Sequence, residues 1–275
     1  MINGVEKGLE AAGHRANLLI GAGPLSENLL SRRVLEEQSD AVILLAVREG
    51  SEYVQLVERL HVPAVVINAR SQPQRFSYVG VDNHGGVGDA VGRLVEMGHR
   101  RLAMVHNTHQ LSYNLERQQG FFDALRERGL EATATLAIDP EADTAEAAYL
   151  AAAEQVADAA TAVCLTNDHM AVSFIDALET LGVSVPDDVS VVGFDATPSC
   201  AASGLRPSSV GYCIDRLAEE AASIIDRLLQ EGGLRYLSAI LPARFEPRDT
   251  TAPPRREASP KPRLQASQAV AVPKE

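Results

Sequence analysis

Residues 79–105 read VGVDNHGGVGDAVGRLVEMGHRRLAMV, and this stretch decides the fold class. It opens within a short apolar run, Tyr78–Val81 (YVGV), of strand length. From 84 to 97 the spacing changes: Val87, Val91, Leu94 and Val95 share one face of a 3.6-residue helix. Gly98 stops that helix, as a glycine past the last turn does. Arg101–Val105 (RLAMV) is again a short apolar run. Strand, helix and strand in this order make the unit of a parallel sheet, because parallel neighbours need a long crossover between them.

The same alternation extends in both directions. Asn17–Ile20 (NLLI), Ala41–Ala46 (AVILLA) and Ala64–Ile67 (AVVI) read as buried strands upstream. Thr135–Ile138, Thr161–Leu165 (TAVCL) and Val189–Phe194 (VSVVGF) continue the series downstream. Helical patterns lie between them, with Phe121, Ala124 and Leu125 on one face of 115–128. Met170, Phe174, Ala177, Leu178 and Leu181 do the same in 168–182. Gly129 and Gly182 stop these helices, and Pro186 cannot extend the second. Continuously apolar strands separated by helices predict α/β architecture, with parallel sheets covered on both faces.

The 275-residue chain is 45% hydrophobic and 23% charged, enough for one large domain or two lobes with real cores. No apolar run reaches the roughly 20 residues that span a bilayer, and no secretory signal is visible. A cytoplasmic protein without membrane contact is expected. The net charge of −12 opposes broad electrostatic binding to DNA or anionic membranes. Cys164, Cys200 and Cys213 are odd in number and lack CxxC spacing, so neither a disulfide scaffold nor a zinc site is expected. Cys164 reads as a small core residue.

Both ends are unusual. A helix with Val5, Leu9 and Ala12 on one face opens the chain and ends at Gly13, where a doubly wound lobe normally opens with a strand. A first strand is therefore expected to be absent, with a cost of about 1–3 kcal/mol for each backbone group left orphaned and buried. Residues 252–275 hold five of the 14 prolines and five basic residues against two acidic ones, with no periodicity. They read as a disordered tail.

Five segments in order carry a family resemblance. They are Asp82-Asn83 with Gly98-His99-Arg100-Arg101; Arg117-Gln-Gln-Gly120-Phe121; TAVCLTNDHMA at 161–171; GVSVPDDVSVVGFD at 182–195; and LPARFEPRDTTAPP at 241–254. Over about residues 1–254 the chain resembles the lactose-repressor (LacI/GalR) family of bacterial transcription regulators. The resemblance implies a periplasmic-binding-protein-like sensor of type I, with two doubly wound lobes joined by three crossovers. The sensor domain would cover 1–251. The first lobe would hold about 1–98 and 207–231, and the second about 101–204 and 234–250. A small sugar-like or nucleoside-like effector would bind between them. The family's helix-turn-helix and hinge are not found before Met1, so operator DNA is expected to be bound only through such a head. The resemblance also implies a homodimer, through outer helices including 27–38 and 51–60. The sequence departs from the family at Leu205–Val210 (LRPSSV) and at His106-Asn107, where a small residue is usual.

The residues that match the motifs suit a polyol. Arg117 supplies up to five donors in a rigid fork. Asp195, just after VSVVGF, projects from a strand's carboxyl end and accepts hydroxyl protons in charge-assisted bonds. Asn167 follows TAVCL at the same edge. Asp82 and Tyr212 complete the candidate set. Each has a structural alternative. Asn167 or Asp168 caps the helix beginning near His169; Arg117 belongs to a surface face with Glu116; Asp195 is a turn residue; Asp82, with Asn83, orders the turn into helix 84–97. Phe194 reads as core rather than as a stacking platform, and His99 as a structural turn residue.

Other chemistries are weak. His106-Asn-Thr-His109 places two imidazoles on a loop without a third ligand. Gly21-Ala-Gly23 lacks the third glycine of a dinucleotide fingerprint, and no nucleophile–base signature is present. Neither enzymatic activity, nor a metal, nor a cofactor is expected. The competing reading of the same fold is a sugar-binding receptor of a transport system.

Overall fold

The computed structural model describes residues 2–15, 39–45, 52–68, 76–109, 111–198, 200, 204–231 and 236–255. The predicted strand at 17–20, the segment Gly21–Gly23 and the helix 27–38 lie outside them. Two parallel-based sheets organise the rest. The first runs β1 (Val42–Leu45), β2 (Ala64–Ile67), β3 (Ser77–Val81) and β9 (Ser238–Leu241) in that spatial order, all parallel. The second has six strands. These are β10 (Arg244–Glu246), β8 (Ser208–Gly211), β7 (Ser190–Phe194), β6 (Ala162–Leu165), β4 (Leu102–Asn107) and β5 (Ala132–Ile138), again in spatial order. Only β10, at the edge, is antiparallel.

The apolar runs are continuous because both faces of each sheet are covered. Along β4, Leu102 and Met104 enter one core, with Phe121 and Leu125; Ala103 and Val105 enter the other, with Phe174 and Leu178. β6 and β7 alternate the same way: Cys164 and Phe194 face the first core, Val163 and Val191 the second. Burial pushes the Cys164 thiol up to about 12, so it is an inert core residue. Helices α3 (Asn83–Glu96) and α4 (Ser112–Glu127) cover one face of the second sheet, α5 (Ala145–Ala159) and α6 (Asp168–Thr180) the other. In the first lobe, α2 (Glu52–Leu60) packs Val54 and Val57 against Ala64 and Val66. Helices α1 (Ile2–Ala11) and α7 (Ile214–Gln230) cover the other face. There α7 buries Leu217, Ala221, Ile224 and Leu228, and α1 buries Val5 and Leu9.

Among the described residues the chain crosses between the lobes three times, near Asp82, Tyr212 and Pro242. These positions correct the expected lobe boundaries. Helix α3 belongs to the second lobe, packed on α4 and on the β8–β10 edge, rather than to the first with residues 1–98. β8 pairs with β7 in the second sheet, and β9 pairs with β3 in the first. The physical reason is that a helix after a strand need not return to that strand's sheet. Nothing local to 83–98, 208–211 or 238–241 records which sheet receives it.

The expected helix stop at Gly98 has φ +107, a backbone setting that L side chains rarely adopt. The expected tail is corrected at its start. Val191 N donates to the Thr250 carbonyl (2.8 Å), Ala252 N to Ser190 Oγ (3.1 Å), and Arg255 pairs with Asp187 and Asp188. Residues 250–255 thus form a strap along β7, and residues 256–275 lie outside the described residues. His99 is buried beneath this strap. Its Nδ1 meets Thr161 Oγ1 and its Nε2 the Ala252 carbonyl, each at 2.9 Å. Burial lowers its pKa, and the Ala252 contact partly opposes the shift. His99 is the structural turn residue that the sequence suggested. Among the described residues, no helix is long and apolar enough to cross a membrane.

Candidate ligand-binding site

Parallel sheets bind ligands outside the carboxyl ends of their strands. Here the ends of β2, β4, β6, β7 and β8 bring Asn68, Asn107, Thr166, Asp195 and Tyr212 to that edge. Helix α4 adds Tyr113, Asn114 and Arg117 from its first turns.

Arg117 is the centre. It is only 3% exposed, so it is not part of a surface face with Glu116. A buried guanidinium must find acceptors or destabilise the fold. Its Nε donates to Asn83 Oδ1 (2.9 Å), Nη1 to the Thr166 carbonyl, and Nη2 to Asp195 Oδ1 (3.1 Å). The guanidinium carbon lies 3.5 Å from the Phe194 ring centroid and 5.0 Å from that of Tyr113. Phe194 is therefore both a core residue and the plate beneath the cation, a cation–π arrangement. Asn83 is aimed in turn: its Nδ2 donates to the Val81 carbonyl (3.1 Å) and to Glu116 Oε2 (2.9 Å).

Asp195 is the exposed end of this network, with its side chain 31% accessible against 4% for Arg117. Its φ is +97 and that of Ala196 is +50. The bend is held at three successive N–H groups. Asp195 N donates to the Val210 carbonyl (2.9 Å), Ala196 N to Ser209 Oγ (3.0 Å), and Thr197 N to Asp168 Oδ2. Asp168 is buried and also accepts from Ser209 Oγ (2.6 Å). Burial raises its pKa, against the pull of those two bonds. It supports the Asp195 bend from beneath rather than facing the cleft.

Tyr212, on the second crossover, sets its ring 6.4 Å from that of Phe194, beside the Arg117–Asp195 pair. Burial, with the Asp195 charge next, pushes its phenol up to about 12, so it stays a proton donor at neutral pH. Burial likewise raises Tyr113.

Of the five expected site residues, Arg117, Asp195 and Tyr212 come together. Asn167 sits beside Thr166, but its Oδ1 caps α6 by accepting from Met170 N (2.8 Å). Asp82 lies at the end of β3, where its Oδ1 caps α3 by accepting from Gly85 N (2.8 Å). The sequence reading did not single out Tyr113, Thr166, Asn68 or Asn114, and gave Asn83 only a turn role. Their one signal is position, at strand ends or one helical turn from Arg117. His106 Nδ1 contacts the Asn107 carbonyl (3.0 Å), and His109 Nε2 is 3.8 Å from Asp139. Among the described residues, no group of three or more side chains is arranged to hold a metal.

This geometry, two α/β lobes with a polar cluster at facing strand ends, defines a class of ligand-sensing domains. A family model described as periplasmic binding protein-like domain matches residues 91–251. The chain belongs to that family, in the company of the lactose-repressor regulators. The "HTH-type transcriptional regulator CelR" of Thermobifida fusca is 29% identical over 237 residues, 84% of this chain and 69% of that protein. A solved "transcriptional regulator CelR-cellobiose complex" aligns at TM-score 0.80 and 25% identity, covering 90% of this chain and 77% of that one. A LacI family transcriptional regulator from Mycobacterium smegmatis aligns at TM-score 0.76 and 28% identity, over 92% and 94% of the two chains. The chain spans 53–76% of the length of the curated regulators it resembles. These relatives are regulators, not enzymes.

Proposed function

We propose that this chain is the effector-sensing part of a cytoplasmic transcription regulator, and that it takes a small sugar-like ligand between its lobes. The observation that carries this reading is the Arg117–Asp195 pair. The buried guanidinium is fixed on three acceptors, and the carboxylate it holds reaches the cleft edge. A preorganised carboxylate loses little freedom on binding and accepts hydroxyl protons in charge-assisted bonds. Tyr212 lies on the same side, while Asn167 and Asp82 cap their helices at neighbouring strand ends. The relatives' character as regulators supports this reading over a transport receptor.

Mechanistically, a ligand that contacts both lobes favours one lobe arrangement and shifts the population toward it. The three crossovers are the pivots of that change. In the proposed whole protein the change is passed through a homodimer to a helix-turn-helix head that reads the operator. Calorimetric titration with cellobiose, D-ribose and D-galactose tests the sensing step. At least one sugar is expected to bind, and Asp195→Asn to weaken it about 10- to 100-fold, the worth of hydrogen bonds to a charged group. Binding that ignores Asp195→Asn would sink the assignment of the site.

A further inference from the structure

The two edges of the second sheet are finished differently. β10 (Arg244–Glu246) carries a charge at each end, which opposes pairing with another strand. β5 (Ala132–Ile138, ATATLAI) holds no charge, proline or glycine, and among the described residues it pairs only with β4. Its register against β4 slips at Thr133, so Ala134–Ile138 is the regular stretch. In a parallel ladder alternate residues bond to opposite sides, so this stretch turns a row of N–H and C=O groups outward.

The surface beside that edge is apolar. Helix α4 meets α3 through Glu116, Gly120 and Asp123: Glu116 Oε2 accepts from Asn83 Nδ2, Gly120 faces His84, and Asp123 Oδ2 lies 3.0 Å from His84 Nε2. With 3.6 residues per turn, Leu115, Gln118 and Phe122 fall on the opposite flank. Because α3 packs on β8 and β10, that opposite flank lies toward β5. Leu115 and Phe122 are exposed there. Thr135 and Ala137 are exposed on the same face of the sheet, paired with Met104 and His106. Edge, sheet face and helix flank together make an uncharged strip.

The chain carries a segment suited to this strip. In the proline-rich tail, outside the described residues, 264–272 (LQASQAVAV) is a run without charge, proline or glycine. The tail as a whole has no periodicity, but within this run Leu264, Ala266, Val270 and Val272 fall on one side of an extended chain. Lys261 and Arg263 precede the run and Lys274 follows it. The ends of β5 are acidic: Glu131 precedes it, and Asp139 and Glu141, beside His109, follow it.

Reach and direction agree with the charges. The strap passes from Thr250 beside Val191 to Ala252 beside Ser190, toward the amino ends of the strands, where Arg255 pairs with Asp187 and Asp188. A strand outside β5 would lie four strand spacings from β7, about 19 Å. Residues 256–263 can extend over about 26 Å. The segment would enter at the amino end of β5 and run parallel to it. Lys261 and Arg263 would then meet Glu131, and Lys274 would meet Asp139 and Glu141.

We propose that the free edge of β5 is a docking surface for residues 264–272 of this chain's own tail, added as a parallel outermost strand whose apolar side covers Leu115 and Phe122. Main-chain bonds hold such a strand, and the flanking charges set its register. This inference is independent of the ligand that the cleft takes.

Hydrogen exchange on the full 275-residue chain tests it. The outward-facing amides of Ala134–Ile138 are expected to be protected. Adjacent residues turn their N–H groups to opposite sides, so one of Val270→Pro and Ala271→Pro removes a ladder donor. That variant should speed exchange of those amides about tenfold and leave β4 and β6 unchanged. Arg263→Glu should also reduce protection, and adding Glu131→Arg should restore it, which mere damage to the fold would not do. If the outward β5 amides of the parent exchange like those of an exposed loop, or if neither proline variant moves them, the inference falls. Protection that appears only as chain concentration rises would place a second copy on the edge and overturn the assignment to the chain's own tail.

Discussion

Asp195 holds its carboxylate in place through an unusual backbone. A φ of +97 costs most side chains about 1–2 kcal/mol, but Asp and Asn tolerate that region better than others. Asp195→Asn therefore keeps the bend and removes only the charge, whereas Asp195→Ala adds strain as well. We expect Asp195→Asn to lose ligand affinity and, because the buried Arg117 then lacks its ion pair, to melt somewhat below the parent. Asp195→Ala should lose affinity and also melt several degrees lower, as calorimetry would show; equal melting of both variants would refute the strain argument. His99 makes a second prediction at this scale. Its folded pKa lies below its unfolded value, so the unfolded chain binds the proton first. The stability it contributes is present above the unfolded value of about 6.5 and is lost as pH falls through the folded value. The parent should destabilise below about pH 6.5, and His99→Gln should flatten that loss. Denaturant midpoints between pH 7 and pH 5 measure the difference.

Among the elements, the contact of α3 with α4 bears on the site most directly, because α3 delivers Asn83 and α4 delivers Arg117. The helices meet where Gly120 faces His84. A Cβ on Gly120 would lie 2.3 Å from the His84 carbonyl oxygen, which is backbone and cannot swing aside. Gly120→Ala is expected to push the helices apart, costing about 1–3 kcal/mol of stability and weakening ligand binding in parallel; a urea midpoint and a titration on the same sample read both. This contact also marks how far the sequence could be read. Period and glycine stops were enough for the strands and helices around 79–105, 161–182 and 189–194, because propensity and burial agree there. Capping by Asn167 and Asp82 is local chemistry, visible in residue type and position. Assignment of α3, β8 and β9 to a sheet is not local, and the chain carries no mark of it. Arg117 and Asp195 were legible as charged groups at suitable positions. Asn68, Asn83 and Asn114 were not, since an asparagine near a turn looks the same whether it caps, bridges or binds.

At the scale of the molecule, charge and topology matter more than any one contact. A net charge of −12 repels a phosphate backbone, so the 275-residue chain alone should not bind operator DNA. Fluorescence anisotropy at physiological salt would show this. A salt-sensitive nanomolar complex would contradict it.

The three crossovers have a practical corollary. In the antiparallel pairing at the sheet edge, Arg244 stands directly opposite Gly211. The chain leaves the second lobe after one of these neighbours and re-enters just before the other, so everything from Tyr212 to Ala243 is topologically an insertion. Excising it and bridging Gly211 to Arg244 with a two-residue Asn-Gly hairpin should yield a single-lobe miniprotein from 83 to 255. Its C-terminal strap would stay fastened where the Ala252 carbonyl meets His99.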